Sequence, residues 1–65
     1  MKIIVNGVEQ HVTAKTMAEL VVEMGYEDVP VATARNQSVV AKRNRTITDI
    51  QEGDRIEILI PMQGG

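Results

Sequence analysis

The sequence predicts an α+β fold in which one main helix packs on one face of a mixed sheet of four to five strands. A strand-like run rich in β-branched residues, residues 2–5, precedes the turn signal Asn6-Gly7, and an apolar run, residues 55–60, lies near the end of the chain. Between them, one segment repeats its apolar residues with helical spacing. The resulting order is ββαβ(β)β, and a sheet that a helix covers on one face needs apolar residues on only that face.

The pair Asn6-Gly7 predicts a two-residue hairpin turn, because a type I′ turn needs positive φ at both of its central positions. Such a turn pairs Val5 with Val8, and successive residues of each strand then alternate between the two faces. The face predicted to meet the core comprises Met1, Ile3, Val5, Val8, Gln10 and Val12. Gln10 is the one polar residue on that face.

Thr16 and Glu19 have the spacing of a helix capping box, in which the threonine hydroxyl accepts from an early helix N–H and the glutamate reaches back to the cap. Apolar residues then recur with the spacing of one helical face, at Met17, Leu20, Val21 and Met24. Gly25 stands where a left-handed residue commonly ends a helix. The pattern predicts a helix over residues 17–24 whose apolar stripe packs against the sheet.

Residues 31–35 and 39–42 predict a second hairpin around Asn36-Gln37. We expect its small residues to lie beneath the helix, while Thr33 and Val40 face outwards. The small residues are Ala32, Ala34 and Ala41.

The last third of the chain predicts an irregular segment, a tight turn and a final strand. Over residues 43–51 we expect one helical turn capped by Thr46 or Thr48, because threonine is a common cap. Glu52-Gly53-Asp54 predicts the turn. In the strand over residues 55–60, the isoleucines at 56, 58 and 60 share one side and Leu59 lies on the other.

Composition excludes several classes of function. The 65 residues suit one domain. The absence of cysteine excludes disulfides, thiolate zinc sites and a cysteine nucleophile. His11 is the single histidine. A net charge of −2 and one aromatic residue, Tyr26, argue against nucleic acid as a partner. No apolar run is long enough for a membrane span and no leader opens the chain, so we expect a cytoplasmic protein without a membrane partner.

The C-terminus carries the clearest functional signal. Residues 1–60 are predicted to form the domain and residues 61–65 a flexible tail, because Pro61 cannot donate to a sheet ladder and ends the strand. Gly64 and Gly65 have no side chains, so this end suits a narrow channel in another protein. The alternative is an ordinary frayed terminus.

Four features then form a pattern that spans the whole chain. They are its short length, the segment Asn36-Gln37-Ser38-Val39-Val40 followed by Lys42-Arg43, the turn Glu52-Gly53-Asp54 before Arg55-Ile56-Glu57-Ile58, and the terminal Gly64-Gly65. In these features the chain resembles a β-grasp domain of the ubiquitin-like superfamily, and within it the ThiS family of sulfur carriers in thiamin biosynthesis. The chain departs from the family pattern at Lys42, where proline is frequent, and at Met62-Gln63, where small aliphatic residues are usual.

The resemblance implies a carrier that is a substrate of enzymes and not itself an enzyme. An adenylating enzyme of the ubiquitin-activating (E1) type would use ATP on Gly65, and a cysteine desulfurase or sulfurtransferase would supply sulfur for a thiocarboxylate. Thiazole synthase would consume that sulfur, and the chain itself would bind no cofactor. The alternatives are a carrier for the molybdopterin synthase large subunit, a protein modifier conjugated through Gly65, and a passive β-grasp binding module.

Docking requires a surface as well as a tail. We expect an outward apolar patch formed by Leu59, Val40 and Met62. A basic rim that favours an acidic partner would comprise Arg35, Lys42, Arg43 and Arg45. The alternative for these cations is a solvated edge that blocks strand pairing.

Overall fold

The computed structural model describes residues 1–61, which form five strands, one α-helix and one 3₁₀ helix. In chain order the strands and the α-helix are β1 (Lys2–Val5), β2 (Val8–His11), α1 (Met17–Glu23), β3 (Ala32–Arg35), β4 (Ser38–Val40) and β5 (Arg55–Leu59). The 3₁₀ helix, Lys42–Ile47, lies between β4 and β5. The predicted α+β architecture with one helix and a mixed sheet is confirmed.

The sheet has the order β2-β1-β5-β3-β4, so the last strand lies at its centre, between the two hairpins. β1 and β5 run parallel, with Val5 opposite Ile56, and every other neighbouring pair is antiparallel. The core lies between the sheet and α1, and its largest fully buried side chains are Ile3, Met17, Leu20 and Ile56. Residues distant in sequence therefore meet on β5.

The first hairpin has the predicted turn and register. Asn6 and Gly7 have φ values of 52° and 81°, and Val5 lies opposite Val8. Three residues of the predicted inner face are buried, namely Ile3, Val5 and Val12. The prediction is wrong for Met1 and Val8, which are 39% and 57% exposed. Both lie at the ends of the hairpin, and β2 is an edge strand with a neighbour on one side only.

The helix also begins and ends close to its predicted limits. The Thr16 hydroxyl accepts from Glu19 N at 3.2 Å, as the capping box predicts, and Gly25 has φ +90°. The Glu19 carboxylate, however, accepts from Lys15 N at 2.7 Å and so reaches one residue beyond the cap. Three residues of the predicted stripe are buried, Met17, Leu20 and Val21, and Met24 is half-buried against the core.

Glu23, at the end of α1, ties the helix to the preceding loop. Its carboxylate accepts from Thr13 N at 3.0 Å, from Thr13 Oγ1 at 2.9 Å and from Ala14 N at 2.9 Å. The Thr13 amide and then its hydroxyl lower the pKa of Glu23 below its ordinary value of 4.5. The ionised Glu23 carboxylate therefore holds the loop between β2 and α1 in place.

The second hairpin has the predicted turn but the opposite orientation. Asn36 and Gln37 have φ values of 50° and 73°, and Arg35 lies opposite Ser38. Thr33 and Val40 are buried, whereas Ala32 is exposed, so the predicted assignment of faces is wrong. The cause is the pairing of Thr33 with Ile58, because paired residues share a face and Ile58 faces the core.

The segment before β5 differs in detail from its prediction. A helical turn is present, but the 3₁₀ helix begins after Ala41 without a side-chain cap, and Thr48 Oγ1 donates to Asn44 O at 2.7 Å near its end. Gly53 has φ +84° in the predicted turn. Ile60 lies past the end of β5 and is 59% exposed, so it does not share the buried side of Ile56 and Ile58.

Candidate functional site

The structure places the predicted site residues in different environments. Gly64, Gly65 and Met62 lie outside the described residues, so their roles and the domain limits of 1–60 and 61–65 stay predictions. Leu59 is 54% exposed, as predicted, and Arg43 is exposed. Val40 is 9% exposed and belongs to the core, so the prediction that it faces a partner is wrong.

The apolar surface that includes Leu59 lies on the sheet face opposite α1. β3 pairs with both neighbours there, with Ala32 opposite Leu59 and Ala34 opposite Val39. We call these four residues the outer patch: Ala32, Ala34, Val39 and Leu59. They line a shallow cavity of about 310 Å³, together with Thr33 and with Gln37 and Glu57 as polar neighbours. Val39 is 84% exposed and takes the place that the sequence prediction assigned to Val40.

The shape of the outer patch suits docking. Two alanines on β3 leave a depression between the larger side chains of Leu59 and Val39. An exposed apolar patch with polar neighbours is typical of a protein interaction site. Glu57 is the one ionisable residue that lines this cavity, so the described part of the cavity offers contact surface and little chemistry.

Two of the four predicted rim cations are bound within the fold. Arg35 Nε donates to Asp54 Oδ2 at 2.7 Å, and Asp54 is 7% exposed. Arg45 donates to Val31 O at 2.6 Å and to Thr33 Oγ1 at 3.2 Å. The predicted basic rim is therefore reduced to Lys42 and Arg43, which are both exposed.

Asp54 anchors the start of β5. Burial by itself raises the pKa of Asp54, but hydrogen bonds from Arg35, Gln51 N and Asn36 lower it by more than burial raises it, so the pKa lies below its ordinary value of 3.8. The carboxylate is therefore ionised near neutral pH and joins the turn before β5 to the turn between β3 and β4. Sequence reasoning placed Asp54 in a turn but missed this network, because Arg35 and Asn36 are distant from it in the sequence.

A second cavity lies where the chain leaves β5. It has a volume of about 470 Å³ and is bordered by Pro61, by the loop over residues 26–31, and by Val21, Lys42 and Arg45.

Among residues 1–61, no group of three or more His, Cys, Asp or Glu side chains is placed to hold a metal ion. Within these described residues, neither the α-helix nor the 3₁₀ helix is long and apolar enough to cross a membrane.

The fold defines a β-grasp domain of the ubiquitin-like class, and the outer patch is an exposed apolar surface beside the end of its last strand. The ThiS family model matches residues 3–65. The chain therefore belongs to the ThiS family, the family that its sequence resembles.

Solved structures and a curated relative agree with this assignment. The crystal structure of the thiamine biosynthesis protein ThiS from Geobacter metallireducens has a TM-score of 0.84 and 28% identity, and the match covers both chains completely. The solution structure of a thiamine biosynthesis protein from the same organism has a TM-score of 0.79 and 26% identity, over all of this chain and 88% of that one.

The curated relative is a thiazole synthase of Paramagnetospirillum magneticum. It is 33% identical to this chain over 66 residues, which cover the whole of this chain and 20% of that protein. The present chain thus spans about a fifth of the length of the curated relative that it matches.

Proposed function

We propose that this protein is a sulfur carrier for thiamin biosynthesis and that it carries sulfur as a thiocarboxylate on Gly65. The observation that carries the proposal is the family match, which extends through the terminal Gly64-Gly65. The absence of cysteine from the sequence supports it, because no thiol of this chain can hold the sulfur. The C-terminal acyl group is the site that remains.

Sulfur can be attached to Gly65 only after its carboxylate is activated. An α-carboxyl group has a pKa of about 3.5, so it is ionised at neutral pH and is a poor electrophile. An E1-type enzyme would join it to the AMP moiety of ATP and release pyrophosphate. The outer sulfur of a persulfide on a cysteine desulfurase or sulfurtransferase then displaces AMP and gives an acyl disulfide. A thiol attacks the enzyme's sulfur in that bond, so that a disulfide forms on the enzyme and the thiocarboxylate is released. The chain acts as a substrate in these steps, and ATP is bound by the partner.

The outer patch gives these partners a surface to hold while the C-terminus enters their active site. Leu59 and Val39 supply exposed apolar area, and Arg43 with Lys42 supplies positive charge for an acidic partner. A region like this chain within a thiazole synthase supports thiazole synthase as the consumer of the sulfur. One relative is a thiazole synthase and another is a thiamine biosynthesis protein, which favours the thiazole pathway over the molybdopterin and protein-modifier alternatives.

Intact mass spectrometry tests the proposal. The chain is incubated with an E1-type adenylating enzyme, ATP, cysteine and a desulfurase, and we expect its mass to rise by the difference between sulfur and oxygen. Omission of ATP should abolish the gain. Gly64→Val and deletion of Gly65 should do the same while the circular dichroism spectrum stays unchanged, because the sequence predicts that both belong to the tail that follows Pro61.

Two results would contradict the proposal. Conjugates between this chain and lysines of other proteins, without a sulfur-bearing form, would indicate a modifier. Normal charging of the chain that lacks Gly65 would show that the sulfur is not carried specifically on Gly65.

A further inference from the structure

Asn6 is far from β5 in sequence, but its side chain is bonded to that strand. Its Nδ2 donates to Ile58 O at 3.0 Å, and Ile58 N donates to its Oδ1 at 2.9 Å. Its backbone N donates to Ile56 O at 2.9 Å. The parallel pairing of β1 with β5 ends at Val5 and Ile56, so the side-chain amide of Asn6 extends that pairing by one step after β1 has turned away.

Asparagine suits this position for two reasons. Its φ of 52° is in the left-handed region, which asparagine adopts more readily than most residues. Its amide also carries a donor and an acceptor side by side, as a backbone peptide does. The N–H and C=O of Ile58 both bond to the Asn6 amide in partly buried surroundings, so the amide satisfies two backbone groups that β1 no longer reaches.

A second asparagine holds the opposite end of the same strand. Asn36 has φ 50° at the corresponding position of the second turn. Its Oδ1 accepts from Arg55 N at 3.0 Å, and its Nδ2 donates to Asp54 Oδ1 at 3.1 Å. The two asparagines make comparable bonds, but only Asn6 acts at the end that leads to the C-terminus.

We propose that Asn6 is a positioning residue for the charging of Gly65, an inference that rests on the proposed function. Ile58 directly precedes Leu59 of the outer patch and lies three positions before Pro61. By holding the backbone of Ile58, Asn6 sets the direction in which the chain leaves the sheet relative to the docked patch. A small misplacement of reacting groups is enough to slow a reaction strongly.

The experiment compares Asn6→Gly with the matched variant Asn36→Gly. Glycine adopts a left-handed φ without strain, so each variant removes side-chain bonds and leaves the turn in place. The rate of adenylation by an E1-type enzyme is measured from the release of pyrophosphate at several carrier concentrations. Both variants are assayed well below their unfolding temperatures, and amide hydrogen exchange at Ile58 and Arg55 reports the two local effects.

We expect Asn6→Gly to lower kcat about ten-fold with little change in KM, because the patch still docks while the terminus is misplaced. Exchange at Ile58 N should become faster. Asn36→Gly should speed exchange at Arg55 N and lower the unfolding temperature but leave kcat unchanged. If Asn6→Gly does not fold, Asn6→Asp replaces it, since this variant keeps an oxygen for Ile58 N and loses the donor to Ile58 O.

Each other outcome overturns the inference. Wild-type kcat in Asn6→Gly would exclude a positioning role and leave the proposed function intact. Equal losses of kcat in both variants would show that any weakening of β5 slows charging, whichever end of the strand is affected. A wild-type chain that is not charged at all would overturn the proposed function and the positioning role with it.

Discussion

The two ends of β5 differ sharply in how they are held. At its start, the buried Asp54 carboxylate binds Arg35 at 2.7 Å and also accepts from Asn36 and Gln51. At its other end, Leu59 and Ile60 are more than half exposed, at 54% and 59%. The comparison indicates that one end of the strand is fixed by buried polar contacts, while the other leaves apolar side chains exposed at the surface.

The physical reason lies in the different penalties for disturbing each end. Removing one partner of a buried, hydrogen-bonded ion pair leaves the other partner unsatisfied, which is strongly destabilising. Changing a side chain that is already half in water alters the free energy of unfolding very little. Substitutions at the two ends should therefore separate folding from binding.

The largest effect is expected at the start of the strand. Asp54→Ala should lower the free energy of unfolding by about 3 kcal/mol, because Arg35 and the amide of Gln51 lose their acceptor. Urea denaturation measures the change. Glu57→Ala, on the exposed face of the same strand, should change stability by less than about 0.5 kcal/mol. Equal losses in the two variants would remove the contrast between the ends.

A smaller effect, on binding alone, is expected at the other end. Leu59→Glu should weaken the complex with the E1-type enzyme by roughly 2 kcal/mol, about thirty-fold in Kd, with an unchanged unfolding midpoint. Isothermal titration calorimetry measures the affinity. Ile47→Glu is the matched control, because Ile47 is 77% exposed but belongs to the 3₁₀ helix, outside the outer patch. Similar weakening by both variants would show that the outer patch is not the docking surface.

The smallest effect concerns acid. Asp54 and Glu23 both have pKa values lowered by folding, so each stabilises the fold fully above its ordinary value of 3.8 or 4.5 and loses that contribution as the pH falls further. The sign follows because the unfolded carboxyl binds its proton first as acid is added.

The variant Asp54→Asn sharpens this prediction, since it should flatten the fall in stability below about pH 4. Glu23→Gln should instead flatten the fall in the free energy of unfolding that begins nearer pH 4.5. Urea denaturation between about pH 7 and pH 2 measures both profiles. An Asp54→Asn profile parallel to that of the wild type would show that this carboxylate does not contribute to acid sensitivity.

Local sequence signals predicted the elements of this fold well. Asn6-Gly7 predicted its turn and register, Thr16 and Gly25 marked the two ends of α1, and Gly53 marked the turn before β5. Each of these is a short-range preference of backbone angle or hydrogen bonding, so it can be predicted from neighbouring residues.

The site was only partly predictable. The exposure of Leu59 followed from the alternation along β5, but Val40 was predicted outside and lies in the core, while Val39 is exposed. Successive residues of β4 were expected to alternate between the two faces of the sheet. Which of them faces the core depended on how β3 pairs with β5. The predicted rim also lost Arg35 and Arg45, since their partners lie on other elements.

The sequence by itself determined where the turns and the helix lie, and it carried the resemblance and the terminal glycines on which the proposed function rests. The tertiary structure decided which face of the second hairpin is buried, which cations stay free, and that two asparagines hold the ends of β5. The reason is that preferences of backbone conformation act within a few residues. The side on which a strand residue lies is settled only when that strand pairs with a distant one.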